Sequence, residues 1–130
     1  MTDSRILHIG IASREAIKRR TIAIARGDFH TTPDEPRVWF SSLESFAKVL
    51  SEKNMLLLET IRRGQPRSLA ELAKLSGRAI SNLSRTLHSM ERFGLIEFRE
   101  EDGKKAPVVR YERVKLDLEL DGNQPTPQAA

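Results

Sequence analysis

The sequence predicts a mainly α-helical fold with a small β component, and three stretches carry that expectation. "SLAELAKLSG" (68–77) opens on a capping pattern, runs an apolar stripe at helical spacing and closes on a glycine. "RAISNLSRTLHSMERFGL" (78–95) is a longer, two-faced helix. "GLIEFREEDGKKAPVVRYERVKLDLEL" (94–120) holds two β-forming runs around a charged, glycine-bearing tip. A short capped helix, a sharp turn, a second helix and a two-stranded hairpin follow one another in the order of a winged helix-turn-helix. That plan occupies residues 41–120. Residues 1–40 are expected to form a strand-helix extension that serves as a dimer or partner interface, and residues 121–130 a disordered tail.

Composition sets the bounds. A chain of 130 residues suffices for one compact domain with an extension, not for two independent cores. Its 38% hydrophobic and 31% charged residues fit a soluble globular protein. It has no apolar run long enough to span a bilayer and no signal-peptide core near Met1. The absence of cysteine excludes disulfides and thiolate metal sites, and matches a reducing cytoplasm, the expected location. Lysine and arginine outnumber aspartate and glutamate by 22 to 18, a net +4 that permits a polyanionic partner without requiring one.

In the extension, Leu7, Ile9 and Ile11 alternate within "RILHIGIAS" and predict a strand. "SREAIKRRTIAIARG" reads as a helix from Ser13 that stops at Gly27. "DFHTTPDEP" is a loop broken by Pro33 and Pro36, and "RVWF" is a short strand. The basic cluster Lys18, Arg19 and Arg20 reads as a solvated face rather than a phosphate grip. Trp39 and Phe40 are expected in the core or at a subunit interface.

Two further helices lead to the central motif. "SSLESFAKVL" offers a capping box at Ser41 and Glu44, with Leu43, Phe46, Ala47 and Leu50 on one face. "SEKNMLLLETIRRG" continues as a second helix to Gly64, with Ser51 as its N-cap. Leu57 and Ile61, with Met55, Leu56 or Leu58, are expected beneath the helices that follow, and Pro66 in "GQPRS" prevents an unbroken helix there. Ser68 and Glu71 then form a reciprocal capping box, Leu69, Leu72, Ala73 and Leu75 supply the stripe, and Gly77 turns the chain.

The helix after that turn carries the functional signal. At about 100° per residue, Ile80, Leu83, Leu87 and Met90 fall on one side with Phe93 nearby. Arg78, Ser81, Arg85, His88 and Arg92 form a stripe on the other, flanked by Asn82 and Ser89. Arginine can fork onto guanine and asparagine onto adenine in the major groove, while serine adapts to either. Arg78, Ser81, Asn82 and Arg85 lie in the amino-terminal half, the part nearest the bases in such motifs; His88 and Arg92 lie farther along, toward phosphate. In the hairpin, Arg99, Lys104, Lys105 and Arg110 are expected to grip phosphates.

The stretch "SLAELAKLSGRAISNLSRTLHSMERFGLIE" resembles the core of MarR- and ArsR-type winged-helix transcriptional regulators. The likeness rests on the L-A-x-L-x-G turn, the S-N-L-S-R-x-L helix and the G-L-I lead into the hairpin, and covers about residues 43–113. The resemblance implies a sequence-specific regulator binding double-stranded DNA as a homodimer, with Arg78, Ala79, Ser81, Asn82 and Arg85 at the base-reading positions. A repressor is expected, with residues 79–93 in the major groove and a wing over 95–118 on the backbone. The chain lacks the long C-terminal dimerisation helices of the first group and the cysteine metal site of the second, so ligand and metal sensing do not carry over. Small regulators of this kind also resemble antitoxins, which neutralise a toxin protein and repress their own operon. That role, or a winged-helix protein-interaction module, is the alternative reading.

Catalysis is not expected, nor is a cofactor, a metal or a membrane. His8, His30 and His88 have no metal-ligand spacing, and Ser81 and Ser84 lack a recognisable base and orienter. Three segments are candidates for the dimer seam: the Leu7-Ile9-Ile11 strand, the helix carrying Ile17 and Ile24, and the alternating Val114-Leu116-Leu118-Leu120 run. The amino-terminal strand is expected to pair with the end of the wing strand, within one chain or across two.

Overall fold

The structure, a computed structural model, describes residues 5–28, 30 and 35–118. The expected tail at 121–130 lies outside the described residues. In chain order the elements are β1 (Ile6–Ile11), α1 (Arg14–Ala25), β2 (Val38–Phe40), α2 (Leu43–Val49), α3 (Glu52–Gly64), α4 (Leu69–Ser76), α5 (Ile80–Arg92), β3 (Glu97–Glu101), β4 (Lys104–Val108) and β5 (Arg113–Asp117). They divide into two compact units: Met1–Phe46 with Glu112–Ala130, and Ala47–Tyr111.

The first unit is a three-stranded parallel sheet in the order β2-β1-β5. Parallel neighbours need a crossover. α1 supplies the one between β1 and β2, which pair Ile9 with Val38 and Ile11 with Phe40. α1 begins where Ser13 Oγ accepts the Ala16 amide at 3.1 Å, and Gly27 follows its end at φ 80°. Leu7, Ile9, Ala12, Ala16 and Phe40 are buried, and Phe40 meets Phe46 edge-on at 5.5 Å.

Arg20 corrects the reading of the basic cluster as one solvated face. Its side chain is buried, its Nη2 donates to Glu35 Oε1 at 2.7 Å, and its guanidinium lies 5.2 Å from the Trp39 ring centroid. Only Lys18 and Arg19 keep the exposed role. The Trp39 ring in turn covers Gly10, its register partner, so closely that a Cβ there would run into it. Gly10→Ala is expected to destabilise this unit by about 1–3 kcal/mol, the usual range for overpacking. Since Trp39 is the one tryptophan in the chain, its fluorescence during denaturant unfolding reads this unit directly.

In the second unit α4 packs against α3 and α5, and β4 touches α3 and α4. Leu57, Ile61, Leu72, Leu83, Leu87, Met90, Leu95, Ile96 and Ala106 are buried. Met55 and Leu56 stay more than half exposed, so Leu58 is the partly buried companion of Leu57 and Ile61. Leu75 and Ile80 are also about half exposed, and each lies at an end of its apolar stripe.

Two caps differ from expectation. Ser42, not Ser41, caps α2, its Oγ accepting the Ser45 amide at 3.1 Å. Ser68 Oγ accepts the Glu71 amide at 3.1 Å, but the Glu71 carboxylate reaches the Arg67 amide at 2.7 Å, one residue before the cap. α5 ends in a Schellman motif, in which Leu95 N–H donates to Met90 O at 2.9 Å and Gly94 N–H to Glu91 O at 3.0 Å. Gly94 holds the positive φ of 77° that this closure requires.

β3 and β4 pair antiparallel, Glu101 opposite Lys104, across the two-residue turn Asp102-Gly103 with φ 52° and 76°. Positive φ at both positions matches the right-handed twist of a tight hairpin. The hairpin ends at Val108, ten residues short of the expected wing boundary. Arg113–Asp117 instead joins β1 in parallel, with Leu7 beside Val114 and Ile9 beside Leu116. The expected pairing of the amino-terminal strand is thus made within the chain. Alternation gave the strand but could not say which sheet it joins, and "VRYE" between the two runs holds no glycine, proline, asparagine or aspartate to mark the break.

Candidate nucleic-acid interface

α4, the three-residue turn Gly77–Ala79 and α5 set two helices in succession, with the turn made by Gly77 at φ 74°. Leu83, Leu87 and Met90 are all fully buried, and spacings of four and three residues keep them on one side. The opposite side must therefore face outward. Ser81, Asn82, Arg85, His88 and Arg92 are exposed there. Arg85 and Arg92 have no hydrogen-bond or ion-pair partner among the described residues. α5 has no acidic residue in its first turn, and its N-cap Ala79 makes no side-chain cap. The amide end of the helix dipole is left uncompensated next to Arg78.

Arg78 and Asn82 act as one group. Arg78 Nε and Nη2 donate to Asn82 Oδ1 at 3.2 and 2.9 Å, and Nη1 donates to Asn54 Oδ1 at 3.3 Å. A guanidinium has five N–H groups, so one N–H remains on each terminal nitrogen beyond these three bonds. Asn82 has its carbonyl oxygen occupied and cannot present the paired donor and acceptor that adenine requires in this arrangement. In this arrangement Asn82 orients the Arg78 guanidinium. Asn54, in the first turn of α3, completes the clamp; its amide donates to Ser51 Oγ and its side chain to Val49 O. Twenty-four residues separate Asn54 from Arg78, and no sequence pattern signals that contact.

His88 Nδ1–H donates to Ser84 O at 2.9 Å, and its ring lies 6.0 Å from Phe98. Phe98 also sits under the Lys105 ammonium at 5.6 Å, and so links α5 to the hairpin. The strand pattern alone gave Phe98 no role beyond β-forming.

The hairpin itself is less cationic than its lysines suggest. Residues 97–108 set Glu97, Glu100, Glu101 and Asp102 against Arg99, Lys104 and Lys105. Arg99 Nη2 donates to Glu101 Oε2 at 3.1 Å, and Arg110 Nε to Glu97 Oε1 at 2.7 Å. Both arginines expected to grip phosphate are thereby engaged by carboxylates. Lys104 at the tip has no such partner among the described residues.

A family model described as HVO_A0114 matches residues 49–116, more than half of the chain. The chain belongs to the HVO_A0114 family. The HVO_A0114 match takes in α3, the α4–turn–α5 segment, the hairpin and nearly all of β5. No curated protein matches the chain. A solved structure from E. coli, described as that of a predicted DNA-binding transcriptional regulator, is similar at 27% identity with a TM-score of 0.45; the match covers 53% of this HVO_A0114 chain and 74% of the other.

Proposed function

We propose that the protein is a non-enzymatic, sequence-specific DNA-binding transcriptional regulator of the winged helix-turn-helix type, a repressor acting as a homodimer. The observation that carries this reading is the outer face of α5. Two exposed arginines with no partner among the described residues, Ser81 and the remaining N–H groups of Arg78 lie opposite a fully buried seam on a helix with no acidic residue in its first turn. A helix fits the major groove, and this face offers the donors that distinguish base edges there. Arg78, Ser81 and Arg85 are the readers, Asn82 and Asn54 hold Arg78, and Arg92 and His88 lie toward the phosphates. A bound dimer represses by occupying the groove that the transcription machinery needs.

Selection of bound fragments from a random duplex pool, followed by gel-shift titration against scrambled duplexes, tests the proposal. Enrichment of a palindromic site is expected, and equal affinity for every duplex overturns it. Lys104→Ala should weaken binding evenly across sequences and reduce the salt slope by about 1, the signature of a lost phosphate contact. The matching Arg99→Ala change should move the slope less, because Glu101 already holds that guanidinium.

A further inference from the structure

β5 breaks the usual rule for parallel sheets, whose strands are covered on both faces. All of its residues are exposed, and among the described residues it pairs on one side only, with β1. Alternation puts Val114, Leu116 and Leu118 on one face, each about 40% exposed, and Arg113, Lys115 and Asp117 on the other. An uncovered edge with an apolar face is a template for another strand. Edge charges ordinarily discourage such pairing, but here they change sign along the strand.

We infer that β5 pairs antiparallel with β5 of a second copy of this chain, about a two-fold axis at Leu116. This deepens the homodimer reading above but does not depend on DNA binding. A two-fold contact is self-complementary: if residue 115 faces 117, then 117 faces 115. With Leu116 opposite the partner's Leu116, Val114 meets the partner's Leu118, and Lys115 meets the partner's Asp117, twice. Directly opposed, unlike charges stabilise an antiparallel pair and like charges destabilise it. Shifting the axis to residue 115 would keep unlike charges opposed at Arg113 and the partner's Asp117 but set Lys115 against the partner's Lys115 at the centre. Charge therefore selects the register, and pairing joins two three-stranded sheets into one of six strands with β2 at each outer edge.

Two single variants test the register. Lys115→Asp opposes aspartates at positions 115 and 117, and Asp117→Lys opposes lysines there. Both changes lie on exposed side chains and should leave Trp39 fluorescence and the far-ultraviolet circular dichroism spectrum unchanged. In sedimentation equilibrium the unaltered chain is expected to be a dimer, and each variant alone should dissociate at least tenfold more readily. Mixed together, they should form a heterodimer visible by native mass spectrometry, since each position 115 then meets its opposite at 117. A monomeric unaltered chain overturns both this inference and the homodimer reading. A dimer that neither variant weakens, or variants that do not rescue each other, overturns the β5 seam alone.

Discussion

Leu83→Ala is expected to lower the stability of the unit Ala47–Tyr111 by about 2–5 kcal/mol, the range for emptying a fully buried leucine site. Leu83 lies in the middle of the α5 seam with Leu87 and Met90, and none of the three has measurable exposure. Removal of its side chain deletes the transfer term and leaves a cavity that neighbouring helices cannot close without breaking their own contacts. Ser81, two residues earlier, points the other way and has little packing to lose, so Ser81→Ala should stay within about 0.5 kcal/mol. Helical circular dichroism during denaturant unfolding measures the difference, while Trp39 fluorescence reports the other unit separately. A large shift for Ser81→Ala with none for Leu83→Ala would reverse the assigned faces of α5.

Arg85→Ala should leave those unfolding curves unchanged and cost about 1–3 kcal/mol at the selected duplex, the worth of one good bidentate base contact. Of the proposed readers, Arg85 has the least prior commitment. Unlike Arg78 it has no partner to break among the described residues, so its whole guanidinium is available to a base edge. The variant should also relax preference at one base-pair position per half-site while sparing the others. Repeating the duplex selection with the purified variant reads this directly. Undiminished affinity with unchanged preference would remove Arg85 from the reading face.

Much of the fold was legible because it is written in local chemistry. Ser13, Ser51 and Ser68 announce helix starts through hydroxyls that accept a backbone amide three residues on, and Gly77 and Gly94 announce ends through a backbone that L side chains resist. Asp102-Gly103 announces a tight hairpin in the same way. The two faces of α5 follow from a 3.6-residue repeat, which separates Leu83, Leu87 and Met90 from Arg85 and Arg92 before any partner is known. At Ser41, by contrast, two adjacent serines offered the same hydroxyl, and only the path of the backbone selected Ser42.

The proposed interface residues show the other limit. Arg78, Ser81 and Arg85 could be named from the sequence because their types and spacing suffice to place them on one surface. Asn54 and Phe98 could not, since their roles exist only through contacts with Arg78 and His88 from elements distant in the chain. Arg20 was misread for the same reason: a guanidinium is identical in sequence whether it is solvated or held by Glu35.

By itself, then, the sequence determined the helices, their caps, the hairpin turn and which side of α5 is polar, because these depend on residues within about one turn of each other. Tertiary structure alone decided that Arg113–Asp117 leaves the hairpin to lie beside Ile6–Ile11, that Gly10 must yield its space to Trp39, and that Asn82 spends its carbonyl on Arg78. Strand partners and long-range hydrogen bonds are chosen by burial and by the pairing of polar groups across the whole chain, and a period of two or 3.6 residues carries no record of which distant segment will satisfy them.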